Sequence, residues 1–241
     1  MTEIPAPHAA DAAPDAAPLL PLAPLAPLGL PVVHLVDDEA VVRDGLAWLL
    51  RSRRLLCEAY ADAAAFEAML GATLARDAAW PRAPACLLLD IRMPGTSGLA
   101  LFEQLAQRGL CRALPVIFLT GHGDVPTAVA ALKRGAFDFV EKPFSNNALV
   151  DRVEQALGAS EQVIRARMRL AGLRQRLGEL TERERQILEF VARGDANKQI
   201  ARALDISVRT VEVHRARVFD KMGVRSALEL AHCLRELGTG A

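Results

Sequence analysis

The sequence predicts a doubly wound α/β domain on a five-stranded parallel sheet, followed by a small all-α domain. Three observations predict this. Between residues 32 and 157, short apolar runs alternate five times with stretches of helical periodicity, the pattern of βαβ units crossing over one sheet. The first, third and fourth runs are nearly all apolar, as strands covered on both faces are. Beyond residue 180 the strand-like runs cease, and amphipathic stretches separated by Gly and short polar turns take over.

Each element has its own signal. Residues 32–36 (Val-Val-His-Leu-Val) are a short buried strand, and 39–50 are a helix with Val42, Leu46, Leu49 and Leu50 on one side. Residues 55–60 form a second strand; Phe66, Met69, Leu70 and Leu74 mark a second helix. Residues 85–89 are the central strand, ending at Asp90. Met93-Pro94-Gly95 and Gly98 force a loop, and Ser97 is placed to cap the helix carrying Leu99, Leu101, Phe102 and Leu105. Residues 115–120 are the fourth strand, 125–134 a helix with Pro126 in its first turn, 137–141 the fifth strand and 146–157 the fifth helix.

Composition narrows the class. A chain of 241 residues suits one large or two small domains. Cys57, Cys86, Cys111 and Cys233 show no paired spacing, which fits a reducing cytosol and neither a disulfide framework nor a zinc site. No apolar run approaches the roughly 20 residues of a membrane helix, so the expectation is a cytoplasmic protein. Net charge is zero, with 29 basic and 29 acidic residues, but unevenly spread. Residues 1–31 carry three acids and no base; their Ala, Pro and Leu repeats favour extended conformations, and they read as a disordered leader. Residues 32–157 hold 13 bases and 15 acids, 158–180 five and two, and 181–241 11 and nine. The mildly basic rear permits a nucleic-acid partner.

The first domain gathers chemistry at its strand ends. The first strand ends in Asp37-Asp38, the third in Asp90, the fourth in Thr120, and the fifth in Glu141-Lys142-Pro143. With strand order 2-1-3-4-5, one of the common orders of doubly wound sheets, strands 1, 3, 4 and 5 are neighbours and those ends converge on one crevice beyond the carboxyl edge. Three carboxylates repel unless a cation intervenes, and oxygen-only ligands suit Mg²⁺. A hydroxyl and an ammonium beside them are what a phosphoryl group requires. Taken singly, Asp37 or Asp38 reads as a helix cap, Thr120 as filler and Lys142 as a surface charge.

With the set Val-Asp-Asp-Glu, Asp-Ile-Arg-Met-Pro-Gly, Thr-Gly-His-Gly and Glu-Lys-Pro-Phe, residues 32–157 resemble the receiver domain of two-component response regulators. The resemblance implies that Asp90 accepts a phosphoryl group from a phosphohistidine on a sensor kinase. It makes Asp38 a direct Mg²⁺ ligand, Asp37 one acting mostly through water, and Asp90 and the Arg92 carbonyl further ligands. Thr120 and Lys142 would hold phosphoryl oxygens, Gly121 would leave room there, and Phe139 would be the aromatic that reorients with Thr120. Lys142-Pro143 resembles the family's cis peptide. Arg92 and His122 stand where relatives flank the attacking water, so they would tune self-dephosphorylation in a chain that is otherwise no enzyme.

Residues 158–180 join the halves. Ile164, Met168, Leu170, Leu173, Leu177 and Leu180 have helical spacing, with five arginines on the other faces. A solvated helical linker and a coiled-coil dimerisation seam both fit. Residues 181–241 open with a capping box, Thr181-Glu-Arg-Glu184. A short helix capped by Asn197 follows, then a turn at Asp205-Ile206, a longer helix from Ser207 to Met222 ended by Gly223, and a last helix over 226–237. Short helix, turn, longer helix is the helix-turn-helix pattern. Val208, Val211, Val218 and Met222 are expected inside; Arg209, Thr210, Glu212, Val213, Ala216 and Arg217 face out. A plain helical packing module with solvated arginines also fits the pattern alone.

Leu-Thr-Glu-Arg-Glu through Val-Glu-Val-His-Arg to Glu-Leu-Ala, within 180–231, resembles a LuxR-type helix-turn-helix domain. Its pairing with a receiver resembles the NarL/FixJ family, on the FixJ side. The resemblance implies DNA contacts by Lys198 and the 207–221 helix: Arg209, Arg215, Arg217 and Lys221 to phosphates, Glu212 and Val213 to base edges, with Thr210 a further contact. The expectation is a cytoplasmic transcription regulator switched by a sensor histidine kinase. It would dimerise on phosphorylation and bind double-stranded promoter DNA, with RNA polymerase a further candidate partner and no membrane involved. A phosphorylation-independent regulator with a vestigial receiver is the alternative. An aspartate-nucleophile phosphatase would need a second Asp where Arg92 stands, and a small-molecule quorum sensor would lack the Asp-bearing sheet.

Overall fold

Strands buried on both faces need helices on both sides, and the chain supplies them. A computed structural model describes residues 27–121 and 125–238, with only the backbone described for 125–128. The sheet comprises β1 (Val32–Val36), β2 (Leu56–Tyr60), β3 (Ala85–Asp90), β4 (Val116–Thr120) and β5 (Asp138–Glu141), parallel in the order β2-β1-β3-β4-β5. Between them run α1 (Ala40–Ser52), α2 (Ala63–Arg76), α3 (Gly98–Gln107) and α4 (Val125–Lys133). The strand order and the alternation of elements are as the sequence predicts. Of the expected leader, residues 1–26 lie outside the described residues, as do His122 and its immediate neighbours Gly123 and Asp124.

The two faces of the sheet divide by residue parity, since successive side chains of a strand point to opposite sides. Val36, Leu87, Leu89, Val116 and Phe118 pack with Phe66 and Leu70 of α2 and Leu101, Phe102 and Leu105 of α3. Val33, Leu35, Cys86, Leu88, Ile117 and Leu119 pack against Leu46, Leu49 and Leu50 of α1 and Leu149, Val150 and Val153 beyond β5. All six residues of β3 are buried, as the central strand of a doubly covered sheet must be. Burial also sets the thiols: it pushes Cys57 and Cys111 up to about 11 and Cys86 further.

The fifth helix departs from the expected end. It runs without a break as α5 (Asn146–Gly178), so most of the predicted linker is its continuation. Three leucines of that stretch are spent on local packing, while Met168 and Leu170 are half-buried outside the core clusters. Ile164 is buried, whereas Leu173, Leu177 and Leu180 enter the core of the C-terminal helices. The described residues accordingly form two compact units, one ending at Gly172 and one beginning at Leu173.

That second unit holds α6 (Glu182–Ala192), α7 (Asn197–Ala203), α8 (Val208–Met222) and α9 (Ala227–Glu236). The Thr181 hydroxyl accepts from the Glu184 N–H at 3.3 Å, and the Glu184 carboxylate accepts from the Thr181 N–H at 2.8 Å, completing the capping box. Asn197 is not the cap of α7 but its first residue. Ala196 holds the cap position, and the Gln199 side chain accepts from its N–H at 2.8 Å. Ser207 caps α8 through the Thr210 N–H at 3.0 Å, and Gly223 ends it at φ +67. Val211, Val218 and Met222 are buried as expected. Val208 is 37% exposed, because the first residue of α8 has no preceding turn to lie against.

One fixture was not legible in the pattern. Ser160 of α5 is fully buried; its hydroxyl accepts from the Ala85 N–H at 3.0 Å and donates to the Ala113 carbonyl at 2.5 Å. It satisfies a main-chain donor at the start of β3 and a carbonyl before β4, where no ladder bond does. Ser160→Ala leaves both groups unpaired in a dry site, and should lower the urea stability of the sheet unit by about 1–3 kcal/mol. Trp48 and Trp80 report that unit's unfolding. A loss too small to measure would mean that solvent reaches the pair.

Candidate acidic site and nucleic-acid interface

The sheet brings three charged groups to one point. Asp37, just past β1, is fully buried, and Asp90, the last residue of β3, is 8% exposed. Lys142, just after β5, places its Nζ 2.9 Å from Asp37 Oδ2 and 2.7 Å from Asp90 Oδ1. The remaining oxygens are held by the main chain: Asp37 Oδ1 accepts from the Glu39 N–H at 2.9 Å and Asp90 Oδ2 from the Arg92 N–H at 2.7 Å. One ammonium thus faces two carboxylates. Burial dominates the titration of Asp90 and raises its pKa, against the lowering influence of Lys142. For Lys142, burial lowers the pKa, but the bonds to Asp90 and Asp37 outweigh it and the net direction is upward.

The other predicted residues fall around this bridge. Thr120 ends β4 and is fully buried, with its hydroxyl donating to the Gly121 carbonyl at 3.0 Å rather than turned to Asp90. Its own carbonyl accepts from the Lys142 N–H at 2.7 Å, which ties the ends of β4 and β5 together. Phe139 is half-buried against the α2–α3 side of the core. The Lys142–Pro143 peptide is cis, as the resemblance implies. Asp38 is exposed and stands outside the Lys142 bridge; the Arg43 guanidinium donates to the Asp37 and Asp38 carbonyls, both at 2.8 Å.

Two contributors went unread in the sequence. The Arg92 amide, not only its carbonyl, belongs to the site. Gly98 is more than a loop former: a Cβ there would stand 2.0 Å from the Asp90 carbonyl oxygen, and its N–H donates to the Ile91 carbonyl at 3.1 Å. Only glycine lets α3 close on the end of β3. A glycine directly after a helix cap was the available signal.

A cation fits this donor set. Two buried carboxylates share one ammonium, leaving a negative charge in a site of oxygen donors, which suits a hard dication. Among the described residues no three acidic, His or Cys side chains form a metal cage. A cation there would keep part of its water shell, as Mg²⁺ does.

The second unit presents a cationic face. Lys198, Arg209, Glu212, Val213 and Arg217 are exposed on α7 and α8, and Thr210 is half-exposed beside Ser207. Two predicted contacts are engaged within the unit instead. The Lys221 Nζ lies 2.7 Å from Glu184 Oε2 and 3.2 Å from the Glu179 carbonyl, so it anchors α8 to α6. Arg215 donates to Asn197 Oδ1 at 3.1 Å and its guanidinium lies 5.3 Å from the centroid of the Phe219 ring. Charge alone could not separate these from solvent-facing cations.

Comparison with known proteins decides the family. The model "Response regulator receiver domain" matches residues 33–154, and "Bacterial regulatory proteins, luxR family" matches 178–234. The chain belongs to the NarL/FixJ family of response regulators. It is 46% identical to the transcriptional regulatory protein FixJ of Azorhizobium caulinodans, over 82% of this chain and 89% of that one. It is 45% identical to the C4-dicarboxylate transport transcriptional regulatory protein DctR of Rhodobacter capsulatus, over 83% and 96%. The structure of the response regulator StyR is similar at TM-score 0.72 and 40% identity, covering 86% of this chain and all of that one. Full-length FixJ from B. japonicum gives 0.51 and 36%, over 87% and 98%.

As a member of this family the chain is a phosphorylation-controlled transcriptional regulator, not an enzyme of metabolism, and its family implies a kinase and DNA as partners. Nothing favours a vestigial receiver. No described helix is long and apolar enough to cross a membrane.

The α6–α8 anchor has a pH signature. The Lys221 ammonium, and then the Thr181 N–H, hold Glu184 at about 2, against an unfolded value of about 4.3. Between those values the unfolded chain binds the proton that the folded one refuses, so stability rises with pH. The contribution is complete above about pH 4.5 and disappears as pH falls toward 2. Urea midpoints of the C-terminal unit, followed by α6 amide resonances, should drop more from pH 6 to pH 3 in the parent than in Glu184→Gln. Equal drops would remove the pair from the account.

Proposed function

We propose that Asp90 is the phosphoacceptor and that its modification releases the C-terminal unit to bind DNA as a dimer. The observation that supports this is the buried Asp37–Lys142–Asp90 bridge, which fixes one carboxylate oxygen of Asp90 on an ammonium and the other on a main-chain N–H. A carboxylate oxygen of Asp90 attacks the phosphorus of a phosphohistidine on a sensor kinase. The P–O bond forms, the P–N bond breaks, and the imidazole nitrogen keeps the electron pair. Asp37, Asp38, Asp90 and the Arg92 carbonyl would hold Mg²⁺, which supplies charge neutralisation for the incoming group.

Phosphorylation adds about −1.5 to −2 charges. Lys142 can then serve the phosphoryl oxygens, and Thr120 can exchange the Gly121 carbonyl for them by rotating its side chain. The space this vacates suits Phe139, so the 125–157 face has two packings to choose between. Arg92 and His122 are proposed to set the lifetime of the phosphorylated state. The proposed division is a receiver over 32–157, a helical linker over 158–180 whose last turns, from Leu173, pack into the C-terminal unit, and a DNA-binding unit over 181–241, acting in the cytoplasm.

Lys198, Arg209, Thr210, Glu212, Val213 and Arg217 are the proposed DNA contacts. Arg215 is a phosphate contact that first gives up Asn197, and Lys221 acts through its anchoring of α8. A single module with few cations binds weakly, so two copies on paired half-sites carry the affinity. RNA polymerase is the proposed target of the bound dimer.

With acetyl phosphate and Mg²⁺, the parent chain should take up one acid-labile phosphate and Asp90→Ala none. Thr120→Ala should still be labelled but stay monomeric by light scattering, while the parent dimerises and shifts promoter DNA. Equal labelling of Asp90→Ala would refute the acceptor. Equal dimerisation with and without phosphodonor in the parent would refute the switch.

A further inference from the structure

The C-terminal unit carries a groove of about 950 Å³ walled by Leu177 of α5, Leu188 and Ala192 of α6, and Leu228, Ala231 and Leu234 of α9. Leu188 and Leu234 are its buried floor, and Leu228, 70% exposed, is its lip. Four arginines, 174, 185, 193 and 235, and a single acid, Glu189, complete the lining, a side-chain charge of +3. None of the proposed DNA contacts lines it. An apolar floor under a cationic rim selects an occupant that is leucine-rich and acidic.

One segment of this chain has that composition. Residues 1–26 carry Glu3, Asp11 and Asp15 and no Lys or Arg. Leu19, Leu22 and Leu25 recur at every third position, interleaved with Pro18, Pro21 and Pro24. A polyproline-II helix has three residues per turn and a rise of about 3.1 Å, so these leucines would align as one ridge about 19 Å long. Prolines pre-set that conformation and reduce the entropy lost on docking.

We propose that residues 11–25 of the leader dock in this groove, leucines on the apolar floor and Asp11 and Asp15 against the arginine rim. A second copy of the unit is the weaker occupant. A two-fold contact sets the same patch against itself, +3 facing +3. Three leucines and two ion pairs make a modest interaction, but tethering on one chain supplies an effective concentration of order millimolar. The docked leader would shield the exposed Leu228 and close an apolar face of the DNA-binding unit.

The test places the photo-crosslinker p-benzoylphenylalanine at Leu22 in the full-length protein, with cross-linked peptides located by mass spectrometry. Cross-links should fall within residues 174–193 and 228–235, and mixtures of isotopically light and heavy chains should yield no mixed products. Arg185→Glu with Arg235→Glu should cut the yield roughly fivefold or more. Adding Asp11→Arg with Asp15→Arg should restore it, which also shows that the reversed groove is folded. Cross-links confined to other regions, mixed light–heavy products in the groove, or a yield unmoved by both charge changes would overturn the proposal.

Discussion

One ammonium between two buried carboxylates is the constraint on which the sheet unit depends. Asp37 and Asp90 lie at the ends of adjacent strands, where removal from water is costly unless charge is compensated. The compensation comes from Lys142, 105 residues along the chain from Asp37. That cation is delivered only if β5 lies beside β4 and β4 beside β3, the order in which the four crossovers lay the five strands. Closure of α3 on β3 through Gly98, and the β4–β5 tie between Thr120 and Lys142, hold those strand ends together. The compensation is incomplete, and a site one positive charge short is one that a dication and a phosphoryl group can enter together.

The sheet was legible because central strands covered on both sides must be apolar throughout, and the runs ending in Asp37, Asp90 and Thr120 nearly are. The acidic site was legible because its members sit at strand ends, and parallel order brings those ends together whatever the side chains do. What the pattern could not carry was the orientation of side chains. Lys221 and Arg215 look in sequence like any outward cation of α8, yet each is turned onto a partner within the unit. Gly98 and Ser160 act through single close approaches across the fold, which leave no periodicity. Val208 follows the apolar stripe of α8 but has no turn before it to cover it.

The leucines after residue 164 illustrate a broader ambiguity. Steps of three and four residues describe a helix with one apolar side and say nothing of what that side meets. Here Leu173, Leu177 and Leu180 serve the core that α6, α8 and α9 share. The four-helix unit thereby gains a fifth wall from the end of α5.

Burial of the thiols has a consequence for chemical durability. Cys57 and Cys111 are held near 11 and Cys86 higher still, in each case first by desolvation. Sulfur is attacked by peroxide and disulfides as the thiolate, a form nearly absent in these three at neutral pH. Peroxide that scars exposed, acidic thiols elsewhere therefore has little purchase on these three.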